Sequence, residues 1–243
     1  MSLNKSLIPL AIFAVLYSAT ACANYPDGCN DARYARYMDE RYADAQARSK
    51  RYYSDSLRNY ELSLSLNRNR YQVISELSRH LKYSAQFDPL DIVADKIDRV
   101  FAHADMLSRE QQIAGDVVDR FSVETHSVGI ARAWVAFREG NLEKSFAELL
   151  ASVDRSDSAM MSSFGPDFEF VRHIYRQGHV EPVLAYLEKT EDFWKGERPD
   201  ALRYVWRAMI DAGCKVQFDT VDTITVMELG LGVRDVNRSR DVN

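Results

Sequence analysis

Glycine and proline are scarce in this chain, at 10 and 6 of 243 residues, which argues against a sheet protein with many turns. Helix formers such as Ala, Leu, Arg and Glu abound, so an all-α chain is expected. The sequence also lacks a GxSxG elbow, a Gly-Lys phosphate loop, a GxGxxG turn and any Cys-His metal spacing. Its five histidines, His80, His103, His126, His173 and His179, are scattered. No cofactor and no metal are therefore expected. The grouping open to a hydrolase is His103, Asp105 and His126, without HExxH spacing to support it. Carboxylate pairs such as Asp39/Glu40 and Glu191/Asp192 read as solvated helix faces. What is present is hydrophobic content of 46%, enough for a sizeable core.

The first residues carry one cation, Lys5, then an apolar stretch from Leu7 to Tyr17, then small residues from Ser18 to Ala23. That layout predicts a secretory signal peptide over residues 1–23, and hence a protein exported by a bacterium. The stretch is too short for a bilayer core of about 30 Å. Ala21-Cys22-Ala23 predicts cleavage before Asn24, leaving a soluble periplasmic product, whereas Ala19-Thr20-Ala21-Cys22 is a loose lipobox that would lipidate Cys22 and attach the protein to the outer membrane. Either route leaves Cys29 and Cys214 as a pair in an oxidising compartment. They stand either as a disulfide closing nearly the whole mature chain or as two unrelated thiols.

Residues 30–66 contain neither Gly nor Pro, and predict one long helix, unbroken or broken once, with Asn30 or Asp31 as its cap. Tyr34, Met38, Tyr42, Ala45 and then Tyr52, Ser56, Tyr60, Leu64 form its stripe. Residues 30–82 hold 11 Lys or Arg against 7 Asp or Glu, whereas residues 83–243 hold 19 against 28. Two readings follow. The basic helix lies on the acidic body by complementarity, or its face, with Arg33, Arg36, Arg41, Arg48, Lys50 and Arg51, binds anionic lipid or cell-wall polymer. Export disfavours nucleic acid. Further on, Asp88-Pro89 starts a helix over 89–104, and Ser108-x-x-Gln111 reads as a capping box opening another over 109–120.

Residues 137–149, FREGNLEKSFAEL, match residues 175–187, YRQGHVEPVLAYL, at an offset of 38. Aromatic, Arg, polar, Gly, polar, aliphatic and Glu recur in order. Gly140 and Gly178 can take positive φ after one helix while Asn141 and His179 begin the next, so the unit is a helical hairpin. A third first helix is expected over 200–212, ended by Gly213. Such units bury their apolar faces only by stacking.

Residues 127–213 resemble the tetratricopeptide-like (TPR-like) superfamily of helical repeats, through the aromatic-x-x-Gly turn, the period in the thirties and Ala133 at the small first-helix position, where Val171 and Trp206 stand in the later units. The resemblance implies an all-α fold: a helical-hairpin repeat, or α-solenoid, over residues 85–213, preceded by a leader and long helix over 24–84 and followed by an extension over 214–243. The extension reads as strand or short helix and ends in a loose tail. In that superfamily the first helices line a concave face, which here would gather Trp134, Phe137, Arg138, Arg172, Tyr175, Arg176, Arg203 and Arg207 into a basic aromatic groove. Arg forks and aromatic anchors suit an acidic peptide or protein segment. The competing reading makes the aromatics inter-repeat core and pairs the arginines with Glu139, Glu169 and Asp211. The expected function is a non-catalytic envelope binder, a scaffold or an inhibitor of immunity type, with surface binding by the N-terminal helix as the alternative.

Overall fold

The computed structural model describes residues 24–114, 122–154 and 159–231, and among them every regular element is helical. The expected signal segment, Cys22 and the tail from residue 232 onward lie outside the described residues. No helix among the described residues is long and apolar enough to cross a membrane.

After a short 3-10 turn, Gly28–Asn30, helix α1 (Ala32–Ser65) starts where the Asp31 carboxylate accepts the Arg33 N–H at 2.8 Å. It runs unbroken for 34 residues. Asn67 then takes positive φ, and Asn69 caps α2 (Arg70–Phe87), which folds back against α1. The seam is a little different from the expected stripe. Ser49, Ser56 and Ser63, seven residues apart, are buried with Tyr60, while Tyr52 and Leu64 are exposed. Small serines at that interval let two helices approach closely, and Ser49 and Ser63 donate their hydroxyls to α1's own carbonyls at Ala45 and Tyr60.

Helix α3 (Leu90–Ala114) is continuous where two helices were expected. Ser108 lies inside it and caps nothing, because the helix carries through His103 and Asp105 without a break. A polar cluster ties α1, α2 and α3 together. Lys96 Nζ contacts His80 Nε2 (2.8 Å), Ser84 Oγ (3.0 Å) and Asp88 Oδ2 (2.5 Å), using all three ammonium donors. His80 therefore accepts at Nε2 and carries its proton on Nδ1, facing Ser56 Oγ at 3.1 Å. Burial and the neighbouring Lys96 push its pKa down to about 4, so the ring stays neutral.

The repeat segment folds as hairpins. Helices α4 (Ser122–Arg138) and α5 (Leu142–Ala151) meet at Gly140, φ +78°; after α6 (Ala159–Phe164), α7 (Glu169–Arg176) and α8 (Val180–Thr190) meet at Gly178, φ +89°. In both, the N–H three residues beyond the helix end bonds back five positions, Asn141 to Ala136 O (2.9 Å) and His179 to Ile174 O (3.1 Å). Helix α9 (Glu197–Asp211) ends the same way at Gly213, with Cys214 N–H on Met209 O at 2.8 Å. Its return is longer: the stretch 214–221 is irregular and leads to α10 (Asp222–Glu228), so among its described residues, 214–231, the extension contains a short helix and no strand.

Side chains from α1, α2 and every hairpin belong to one buried cluster, and the expected boundary between residues 84 and 85 falls inside α2. The N-terminal half of α1 crosses the C-terminal elements. Tyr34 donates to Lys215 O, Gln217 Nε2 to Met38 O (2.9 Å) and Arg41 to Asp219 (2.7 Å), and the Cys29–Cys214 disulfide fastens the leader beside them. Basic-on-acidic complementarity describes only part of this docking, because Arg41 of α1 meets Asp219 whereas the acidic Asp39 of α1 meets Lys215 (2.7 Å) and Arg176 of the body.

Candidate functional site

The eight residues expected to line one groove are dispersed. Arg138 donates to Ala85 O (2.9 Å) and Asp88 O (2.8 Å), closing the end of α2. Tyr175 donates to Cys214 O at 2.5 Å, and Arg176 pairs with Asp39 while lying 4.1 Å above the Tyr42 ring. Arg203 is buried against Trp194 O (2.8 Å) and Asp200, and Arg207 pairs with Glu191 at 2.9 Å. Phe137 is half-buried, packed against Phe170 and His173. Helix α1 thus covers the part of the face that Arg176 was expected to offer, and the stretch after Gly213 covers Tyr175. Trp134 and Arg172 come together at an open cleft.

That cleft runs along α1 where it meets α2 and the start of α7, and it has two lobes. The smaller, about 150 Å³, is lined by Tyr42, Gln46, Gln86, Phe87, Trp134 and His173. The larger, about 310 Å³, is lined by Arg48, Tyr52, Lys82, Tyr83, Asp167 and Phe218 among others. Ala45, Glu169 and Arg172 belong to both and form the waist.

The waist is held by local geometry. Gly165, φ +80°, packs on the Trp194 ring, and Pro166 follows, so the chain turns sharply before α7. Asp167 then accepts Glu169 N–H (2.8 Å) and Lys82 Nζ (2.8 Å), while its own N–H donates to His126 Nε2 at 3.1 Å. His126 is consequently the Nδ1-protonated tautomer, donating to Ser152 O at 3.2 Å. Burial lowers its pKa to about 4, and with both nitrogens committed it has no free lone pair for proton transfer. His103 lies against Arg70 and Arg99, whereas His126 lies against Asp167 and Lys82, so the two share no neighbouring charge.

Electrostatics separates the two carboxyls of the waist. Burial penalises a charged Asp167, but the Lys82 ammonium outweighs it and keeps that carboxyl ionised well below its ordinary range. Glu169 is pushed the other way, to about 7, by burial and then by the charge of Asp167. Arg172 is aimed by Nε, which donates to Gln217 O at 2.6 Å, and its charge acts on the nearby Glu169 without an ion pair among the described residues. Arg48 is exposed and likewise makes none. Phe218, in the far wall, has φ +57° and is held there by rings of Phe168, Tyr175 and Trp206 and by Asp222, which accepts N–H from Gln217 and Asp219.

No protein-family model, curated protein or solved structure matches this chain.

Sequence reasoning named Trp134 and Arg172 for a groove, Arg48 for a basic helix face and Glu169 as an arginine partner, but missed Gln46, Lys82, Tyr83, Gln86 and Asp167. The missed signal lay in Gly165-Pro166-Asp167, a turn before a helix that places a carboxylate inside. Among the described residues no group of three or more His, Cys, Asp and Glu side chains could hold a metal ion.

Proposed function

We propose that this protein is an exported binding module, its hairpins stacked as a TPR-like solenoid, and that it recognises an acidic peptide segment of an envelope protein in the cleft beside α1. The observation that carries this reading is the pair Arg48 and Arg172: two guanidinium groups facing one cleft over walls of tyrosine and tryptophan, neither in an ion pair among the described residues, with Glu169 the carboxyl beside Arg172. Guanidinium forks take carboxylates bidentately, and aromatic walls add contact area at low entropic cost. Lys82 adds no free charge there, since Asp167 neutralises it. The site therefore favours a ligand with one or two carboxylates over a polyanion. From Tyr42 to Tyr52 the cleft follows ten residues of α1, roughly 15 Å, the length of four or five extended residues.

Selection from a displayed pentapeptide library with Asp or Glu fixed at the centre, against the same library with Lys, tests the reading. Enrichment of acidic sequences that is lost in R48E and R172E supports it. Equal recovery of both libraries, or enrichment unchanged in both variants, overturns it.

A further inference from the structure

Resting on the acidic-peptide reading, we infer that the ligand carries an aromatic side chain two residues from its carboxylate in an extended segment, the ring entering the smaller lobe while the carboxylate meets Arg48 and Arg172. Three observations carry this. The smaller lobe has a ring-sized volume, about 150 Å³, and an apolar cavity of roughly that size accepts benzene. Its walls are rings, Tyr42, Phe87, Trp134 and His173, which favour another ring edge-on or offset. Its polar lining includes the exposed Gln46, whose amide can meet a peptide backbone, while the Gln86 amide is held by Lys82 O at 3.1 Å.

The spacing follows from α1. The smaller lobe touches positions 42, 45 and 46 and the larger touches 45, 48, 49 and 52, a step of about one helical turn, roughly 5.4 Å. Side chains on one face of an extended strand recur every second residue, about 6.6 Å apart, so a carboxylate and a ring at that interval reach both lobes together. Neighbouring residues point to opposite faces and reach only one. Phosphate or a bare carboxylate satisfies the arginines and leaves the ring lobe empty.

The test is calorimetric titration of the full chain with acetylated, amidated pentapeptides. Gly-Glu-Gly-Phe-Gly or its reverse order is expected to bind at least about tenfold more tightly than Gly-Glu-Gly-Ala-Gly and than Gly-Gly-Glu-Phe-Gly. Filling the small lobe from the exposed Gln46 position, Q46W, is expected to abolish the preference for Phe, so that Gly-Glu-Gly-Phe-Gly and Gly-Glu-Gly-Ala-Gly bind this variant equally. Equal affinity for the Phe and Ala peptides, or for the adjacent and alternate spacings, overturns the inference while leaving the acidic-peptide reading intact. Binding of Gly-Gln-Gly-Phe-Gly as tight as that of its Glu counterpart, or no binding of any of these peptides, overturns both.

Discussion

Lys82 Nζ stands 2.8 Å from Asp167 Oδ2, and this pair decides which carboxyl beside it keeps a proton. With Asp167 held ionised, Glu169 carries the cost of a second negative charge at the waist of the cleft and titrates near about 7. Burial also raises Asp222, with Asp219 adding to the effect, to about 7. A carboxyl whose folded pKa is raised binds more protons folded than unfolded between its ordinary range and the raised value, so stability falls as pH rises through that window. E169Q and D222N are each expected to flatten the decline in urea-unfolding stability between about pH 5 and pH 8. A slope unchanged in both variants would show that neither carboxyl is displaced.

The same carboxyl faces the ligand. An anion beside Glu169 favours its protonated form, so affinity for an acidic peptide is expected to fall as pH rises past about 7 and to become level in E169Q. Calorimetry in buffers of differing ionisation enthalpy reads the proton taken up on binding.

Much of the fold was legible because it is written in local chemistry. Gly140, Gly178 and Gly213 mark helix ends by the positive φ they take, and the 38-residue offset located two hairpins before any packing was known. The continuity of α3 was not legible, since Ser108 and Gln111 carry the same signature inside a helix as at its start. The groove failed for a different reason. Hairpin register says which side chains share a face but not what already lies on that face, and Asp39 and Tyr42 reach Arg176 from more than 130 positions away. Arg172 was found because it belongs to the repeat; Lys82 and Asp167 pair across 85 positions, which no local pattern encodes.

The turn glycines separate backbone cost from steric cost. A Cβ at Gly140 meets nothing within 4 Å, so G140A is expected to lose about 1 kcal/mol from positive φ alone. A Cβ at Gly129 would stand 2.4 Å from Ser152 Cβ and 2.8 Å from its Cα, so G129A should cost clearly more. Thermal or urea unfolding ranks them, and the reverse order would mean that α4 and the end of α5 are less closely packed.

Lys96 satisfies Asp88, Ser84 and His80 at once. Removing one member of a buried pair leaves the other charge uncompensated, so K96M is expected to destabilise the chain by on the order of 3 kcal/mol. Equilibrium unfolding checks this, and a loss under 1 kcal/mol would place the pair among weak surface contacts.

Cys29 and Cys214 close a loop spanning 185 positions. Replacing both with serine is expected to lower stability by about 2 to 5 kcal/mol, and thiol titration of the denatured chain should find two additional thiols after reduction.

The most direct measurement of the central claim is a nitrogen-proton spectrum of the tryptophan side chains during titration with an acidic pentapeptide carrying an aromatic residue two positions from its glutamate. Trp134 lines the cleft, whereas Trp194 and Trp206 do not, being packed with each other behind Phe168. The account predicts that the Trp134 indole signal moves most, saturates with the binding isotherm, and stays still in R48E. Saturating peptide that leaves Trp134 unmoved, or moves it equally in R48E, would contradict it.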